Sequence, residues 1–413
     1  MGIKDKFISN TTYLFLDIFF INFFMMSFWI IVGKTLSPEA YGIIATSLQI
    51  AVFLSAITAI GFSSTLRKLV PELFARNKKD KLQGLINYSF KIILVSSLII
   101  TLVLFLLSSL FAPFLKLQSE VLQIVALLIF IIAIGNFFAD ILFGFQNMKK
   151  IFLTNFLGNL ICILLTLFFI VLGFNYFGPL IASLLCYSVI LLTRFSKKFF
   201  EISKKITIDK NLIFKFLVPS FISTLFLLLF SNTQFIILSF FKTTELTGRF
   251  AVAFKICSII SVIPSILISA LFPITSELSV DRKGKIKQPY LIKLVFRYNL
   301  FITLPIAFFL IIFSKYVILF FSKSAYLPAM EFLPLLTIAG LFLGLGQLFT
   351  SSLYAIGQPN KHRNVWIITS LSYILSSIPL TYYFSGTGLH GSSVPCCCSM
   401  WQDLFLRATL AMG

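Results

Sequence analysis

Eleven apolar runs, most of them long enough to cross a bilayer as a helix, occupy most of this chain. They lie at about 11–33, 42–66, 86–111, 121–146, 151–173, 177–193, 213–240, 250–275, 294–321, 328–355 and 365–384, separated by short polar segments. A helix rises 1.5 Å per residue, so about 20 apolar residues cover the roughly 30 Å hydrocarbon layer. A twelfth run is expected from Gly388. The composition agrees: 58% of the 413 residues are hydrophobic and 12% charged, against about 45–50% and about 25% in a soluble domain. A soluble globular enzyme is excluded. The expected fold class is all-α, a polytopic membrane protein with about 11–12 transmembrane helices.

The net charge of +20 would suggest nucleic acid in a soluble chain. Its distribution says otherwise. With the N-terminus inside, alternate segments hold 26 of the 34 Lys and Arg, including seven between Arg67 and Lys91, seven between Arg194 and Lys215, and six between Arg282 and Arg297. The opposite segments hold six. Basic residues stay cytoplasmic, so the expectation is an inner-membrane protein with a cytoplasmic N-terminus, whose partner is the lipid bilayer and not nucleic acid. Attraction of those segments to anionic headgroups is a secondary consequence. The first run is too long for a signal-peptide core, lacks a small-residue cleavage site and carries Asp17, so it is expected to be retained. Cys162, Cys186 and Cys257 sit within runs as small apolar fillers. No Cys/His metal spacing occurs, and no cofactor is expected beyond coupling to a proton or sodium gradient.

The second half echoes the first at an offset of about 205 residues. The segment from Gly33 to Gly42, GKTLSPEAYG, follows the first run, and that from Phe241 to Gly248, FKTTELTG, follows the seventh. Each leads through a helix to an acidic-Leu pair, Glu72-Leu73 and Glu277-Leu278, and then a basic stretch. An offset of six helices keeps the same orientation, the pattern of parallel repeats in secondary transporters. Two lobes are expected, at 1–210 and 211–391.

Polar side chains in hydrocarbon are costly and face other helices or a wet cavity. At about 100° per residue, Lys255, Ser258, Ser261, Ser265 and Ser269 share a sector of about 120°, and Ser220, Ser223, Thr224, Ser231 and Gln234 one of about 100°. Gly42, Ala45, Gln49, Ala56 and Ser63 align on the second run; Asn136, Asp140, Gly144 and Asn147 on the fourth; Gly340, Gly344, Gln347, Ser351 and Tyr354 on the tenth. Small and hydroxyl residues also serve close helix packing, and both uses stay open. Lys255, about 8 Å inside the outer end of its run, either snorkels to the headgroups or presents a cation to an anionic group such as a phosphate. Asp17 either titrates and couples transport to an ion or contacts a cytoplasmic-loop Lys or Arg. Asp140 is expected to pair with Lys149 or Lys150. Pro264, Pro305, Pro334 and Pro379 are expected to kink their helices.

These residues resemble a family. GKTLSPEAYG at 33–42, Gly61-Phe62, Arg67 and Pro71-Glu72-Leu73 look like the opening of the polysaccharide transporter family, the O-antigen and capsule repeat-unit flippases. That family belongs to the superfamily holding MATE drug exporters and the lipid II flippase. The turn from Gly144 to Lys150, and Phe250 to Lys255 with Leu271-Phe272-Pro273, are similar to its later motifs. The resemblance implies two six-helix lobes opening alternately to either side. It implies as cargo an undecaprenyl-diphosphate-linked oligosaccharide, and as partners a polysaccharide polymerase and a chain-length regulator. It also matches Lys255 to a cavity-facing basic position and Asp17 to a first-helix acid of drug-exporting cousins. No basic residue lies within the first or second run, unlike many lipid flippases of the superfamily. Diphosphate binding would fall to Lys255 with help from Arg249, and Ser258, Ser261, Gln234 and Gln49 complete the candidate substrate site. Asp17 and Asp140 are the candidate ion-coupling residues.

The rival on the same scaffold is a proton- or sodium-coupled exporter of amphipathic small molecules, whose cavity relies on acids. A membrane-embedded glycosyl or acyl transferase would need clustered carboxylates or His at a membrane face, which the sequence lacks. The composition changes at the C-terminal end: residues 392–413 contain no Ile, Lys or Asn but hold Cys396-Cys397-Cys398. A triple Cys can bind metal or carry acyl groups, but the loss of bias points rather to a shifted reading frame and a damaged twelfth helix.

Overall fold

A computed structural model describes residues 3–200, 210–278, 282–355, 363–373 and 375, and all regular structure among them is helical. Nine helices among the described residues are long and apolar enough to cross a membrane. The chain is thus a polytopic all-α membrane protein, as its apolar runs predict. The expected twelfth helix, Pro379 and the tail at 392–413 lie outside the described residues. The chain divides into two units, Met1–Phe28 with Ile43–Leu228, and Trp29–Gly42 with Leu229–Gly413.

The first unit draws on α1 (Ile3–Thr35), α2 (Pro38–Thr58), α3 (Phe62–Ala75), α4 (Lys79–Leu106), α5 (Ser108–Leu115), α6 (Ser119–Gly144), α7 (Met148–Val171), α8 (Phe177–Arg194) and the start of α9 (Lys210–Phe241). The second predicted run is broken. Ile60 and Gly61 adopt positive φ of 46° and 76°, the left-handed region that glycine enters without strain. This ends α2 and starts α3, so Ser63 leaves the stripe predicted from Gly42 to Ala56. The apolar side of α3, with Phe62, Leu66, Leu69, Val70 and Leu73, packs into a core with Phe137, Phe138 and Ile141 of α6. The α6–α7 turn is built by Gln146 at φ 57°, whose amide donates to Phe143 O at 2.9 Å while the Asn147 amide donates to Leu142 O at 2.9 Å. These are the bonds of a left-handed helix C-cap. The Asn147 side chain then accepts from the Lys150 amide and caps α7. Asn147 therefore lies beyond the helix that carries Asp140.

The second unit contains α10 (Thr244–Leu278), α11 (Arg282–Ile312), α12 (Ser314–Phe321), α13 (Leu333–Ala355) and helical residues 363–373. Both copies of the repeat motif begin a helix in the same way. The Ala40 amide donates to Ser37 Oγ at 3.3 Å, and the Leu246 amide to Thr243 Oγ1 at 3.2 Å. Two lysines cap across the elbow between α1 and α2: Lys34 Nζ donates to Leu319 O, and Lys323 Nζ to Thr35 O, both at 2.5 Å. Ammonium groups on the last carbonyls of a helix complement its dipole. Pro264 and Pro305 lie within α10 and α11, which run through them unbroken, whereas Pro334 falls in the first turn of α13, where its missing N–H costs nothing. A Cβ at Gly344 of α13 would lie 2.6 Å from the Pro264 ring. The glycines of the tenth predicted run thus bring α13 onto α10, the packing use of such stripes. Val171 and Leu192 in the first unit, and Phe301 and Phe308 in the second, stand exposed, as lipid-facing side chains do.

Candidate functional site

Two polar constellations lie inside the apolar helices, one in each unit. In the first unit, α8 ends at Arg194, because Phe195 turns to an extended backbone (φ −55°, ψ 136°). Arg194 is 5% exposed, so it is a buried residue and not the first of the loop cations its position suggests. Its guanidinium donates in three directions: Nε to Thr154 Oγ1 at 3.2 Å, Nη1 to Gly135 O at 3.1 Å, and Nη2 to Asn155 Oδ1 at 2.6 Å. Asn155 Nδ2 in turn donates to Asp17 Oδ1 at 2.9 Å. The Asn155 amide therefore bridges a buried cation and a partly buried acid, accepting from one and donating to the other.

Asp140 is 2% exposed and its partner differs from the expected one. Arg67 Nε donates to Asp140 Oδ1 at 2.7 Å, and the Arg67 guanidinium lies over the Phe143 ring at 4.9 Å. Lys150, expected near Asp140, instead donates from Nζ to Arg194 O at 3.4 Å. The reason is the α6–α7 turn, which carries Lys149 and Lys150 away, while α3 returns along α6 and delivers Arg67. Asp17 and Asp140 both lie within Coulomb range of Arg194. Two acids and two guanidiniums thus form a balanced set, as burial of charge requires.

In the second unit, Lys255 lies eleven residues past Thr244, the start of α10, about 16 Å along the helix. That is about twice the predicted depth, because α10 begins six residues before Phe250. Snorkelling to the helix start is correspondingly less favourable. Lys255 is partly buried, and its Nζ lies 4.8 Å from the centroid of Trp29 on α1, 5.9 Å from Phe235 on α9 and 6.0 Å from Phe254. No hydrogen bond or ion pair engages Nζ among the described residues. Trp29 and Phe235 are themselves buried at 5% and 0% exposed.

The other predicted members stand as follows. Arg249 is not free: its Nη2 pairs with Glu245 Oε1 at 2.5 Å, one turn back on α10. Ser258 Oγ donates to Lys255 O at 2.6 Å and Ser265 Oγ to Ser261 O at 2.8 Å, so both hydroxyls are satisfied by their own helix. The side chain of Ser269, and those of Ser220, Ser223 and Ser231 on α9, lie outside the described residues. Gln234 precedes Phe235 on α9 and is partly buried, whereas Gln49 belongs to α2 in the first unit. Sequence reasoning missed Arg194, Asn155 and Arg67 as site residues, and Trp29 and Phe235 as the rings around Lys255. The Thr154-Asn155 pair, polar within an apolar run, was the available signal for the first unit. Among the described residues no cluster of His, Cys, Asp and Glu is arranged to hold a metal.

Residues 7–279 match the family described as polysaccharide biosynthesis protein. An uncharacterized membrane protein of Methanocaldococcus jannaschii is 24% identical over 370 residues, covering 83% of this chain and 70% of that protein. Among solved structures, the inward-facing conformation of a multidrug resistance MATE family transporter of the MOP superfamily superposes with a TM-score of 0.73 at 20% identity, covering 95% of this chain and 94% of that one. A MOP superfamily transporter from Pyrococcus furiosus, described as having a binding pocket of reversed polarity, gives 0.64 at 19% identity over 99% and 96% of the two chains. The chain shares the fold of these solved transporters.

Proposed function

Because the chain belongs to the polysaccharide biosynthesis protein family, we propose that it is a membrane transporter that flips undecaprenyl-diphosphate-linked oligosaccharide repeats. The direction is from the cytoplasmic to the periplasmic leaflet of the inner membrane, by alternating access, with the N-terminus cytoplasmic. The product feeds O-antigen, capsule or exopolysaccharide synthesis, with a polymerase and a chain-length regulator downstream. Carrying a glycan through hydrocarbon unaided strips water from every hydroxyl, which is prohibitive. A carrier needs polar groups for the head and an apolar exterior along which the lipid tail stays in the bilayer. No bond is made or broken in that process, so the protein acts as a carrier and not as an enzyme.

The observation that carries this reading is Lys255, a cation deep in an apolar helix with no carboxylate partner among the described residues. Such a group attracts a diphosphate and repels a cationic drug. The rival reading, a proton- or sodium-coupled exporter, draws support from the MATE-like fold and from Asp17. Against it stands the Asn155 bridge to Arg194, which gives Asp17 a resident counter-cation. The deciding experiment is deletion of the gene followed by mass spectrometry of lipid-linked glycans. Accumulation of a single repeat unit on undecaprenyl diphosphate is the expected result. Unchanged lipid-linked glycans, together with new sensitivity to amphipathic cations, would favour the exporter.

A further inference from the structure

The surroundings of Lys255 have the form of a cation site. Rings from α1 and α9, with Phe254 of α10 itself, stand within about 6 Å of Nζ, the range over which an aromatic quadrupole attracts a positive charge. Trp29, the strongest ring for this purpose, is also the nearest. Such groupings recognise quaternary ammonium groups. Here the cation is supplied by the chain. An ammonium in an apolar helix is costly unless something offsets its lost hydration, and among the described residues the rings are the only groups that engage it.

We infer that Lys255 is a specificity-determining residue that fills an aromatic cage with its own ammonium, so that the protein excludes organic cations from a site that would otherwise accept them. Occupancy and charge act together: the ammonium lies within about 6 Å of both Trp29 and Phe235, and its charge repels a second cation. This exclusion of cations follows from the rings around Lys255 and is independent of the proposed flippase activity. Truncating Lys255 to Ala removes the propylammonium end of the side chain and is expected to make room for a small tetraalkylammonium ion.

The test titrates tetramethylammonium chloride into the purified full-length protein by calorimetry, with intrinsic Trp fluorescence as a second readout. Wild type is expected to show no saturable binding. Lys255→Ala is expected to bind at least about ten-fold more tightly than wild type, and Trp29→Ala added to it to abolish the gain. Lys255→Met, which keeps the cage filled without charge, is expected not to bind. Equal binding by wild type and Lys255→Ala, no binding by a folded Lys255→Ala, or binding by Lys255→Met equal to that of Lys255→Ala each overturns the inference. Lys255→Ser serves if the Ala variant does not fold, since Ser258 and Ser265 are accommodated on the same helix. The gene-deletion glycan assay uses no Lys255 variant, so failure of the cage and failure of the flippase reading are separately visible.

Discussion

Gly42 and Gly248 pack against one another by reciprocal contacts. A Cβ on Gly42 would overlap Thr244 O and lie 2.8 Å from Gly248 N, and a Cβ on Gly248 would overlap Pro38 O and lie 2.9 Å from Gly42 N. Thr244 and Pro38 each stand four residues before the respective glycine. Each motif copy therefore meets the other with the same atoms, as a local two-fold relation requires. Ser37 and Thr243, which cap the two helices, stand five residues before the same glycines. The two similar sequence segments thus meet at one helix crossing.

Substitution at this crossing should be poorly tolerated, because the obstructing atoms are backbone and cannot rotate away. Gly42→Ala and Gly248→Ala are each expected to destabilise the protein by about 1–3 kcal/mol, the usual cost of overpacking. Thermal melting of the purified protein in detergent checks this. Melting temperatures equal to wild type for both variants would show that the helices separate freely.

Removing Arg194 leaves the Asp17 and Asp140 carboxylates short of a buried counter-charge. Arg194→Ala is expected to cost about 3–5 kcal/mol, and Arg194→Lys to recover little, since three divergent donors match a guanidinium and not an ammonium. Adding Asp17→Asn to Arg194→Ala should restore part of the loss. Additive effects in that double-mutant cycle would mean that Asp17 and Arg194 do not interact.

The two ends of the Arg67–Asp140 pair should respond unequally. The Arg67 side chain is 51% exposed and that of Asp140 3%. Arg67→Met strands a buried carboxylate and is expected to cost about 3 kcal/mol or more. Asp140→Asn leaves an Arg67 that remains half-exposed and an Arg194 that keeps Asp17 through Asn155, and about 1 kcal/mol is expected. Melting temperatures of the two variants give the order directly, and a reversed order would contradict the assignment of burial.

Glycan export should depend on the charge at position 255. Lys255→Ala is expected to reduce export at least ten-fold by losing a charge-assisted contact to the diphosphate, with protein abundance near wild type, and Lys255→Arg to retain part of it. Quantifying surface glycan against membrane-protein level checks both. Undiminished export by Lys255→Ala would remove Lys255 from diphosphate recognition.

Ion coupling through Asp17 should be weak. With Arg194 joined to it through Asn155, Asp17→Asn is expected to leave the dependence of transport on proton and sodium gradients nearly unchanged in proteoliposomes. Loss of that dependence in the variant would return Asp17 to a coupling role.

Much of the scaffold was legible in the chain because a membrane span is a local property: about 20 apolar residues suffer the same fate in lipid whatever their neighbours are. The helix starts at Ser37 and Thr243 were legible for a related reason, since a cap is set within a few residues. Breaks were harder. The end of α2 at Ile60 and Gly61 interrupts no hydrophobicity, only a backbone conformation. Asp140 shows why partners were harder still. Its neighbours in sequence, Lys149 and Lys150, were the natural candidates, yet a left-handed turn at Gln146 takes them elsewhere and α3 supplies Arg67.

What the sequence determined alone was therefore the all-helical membrane class, the approximate spans and the presence of out-of-place charges at Asp17, Asp140 and Lys255. What only the tertiary structure decided was what each charge meets: Asn155 and Arg194, Arg67, and the rings of Trp29 and Phe235. Hydropathy is summed along one helix, whereas a buried charge is resolved by whichever side chains other helices turn towards it. Those rotations and crossings are settled by packing between residues far apart in the chain.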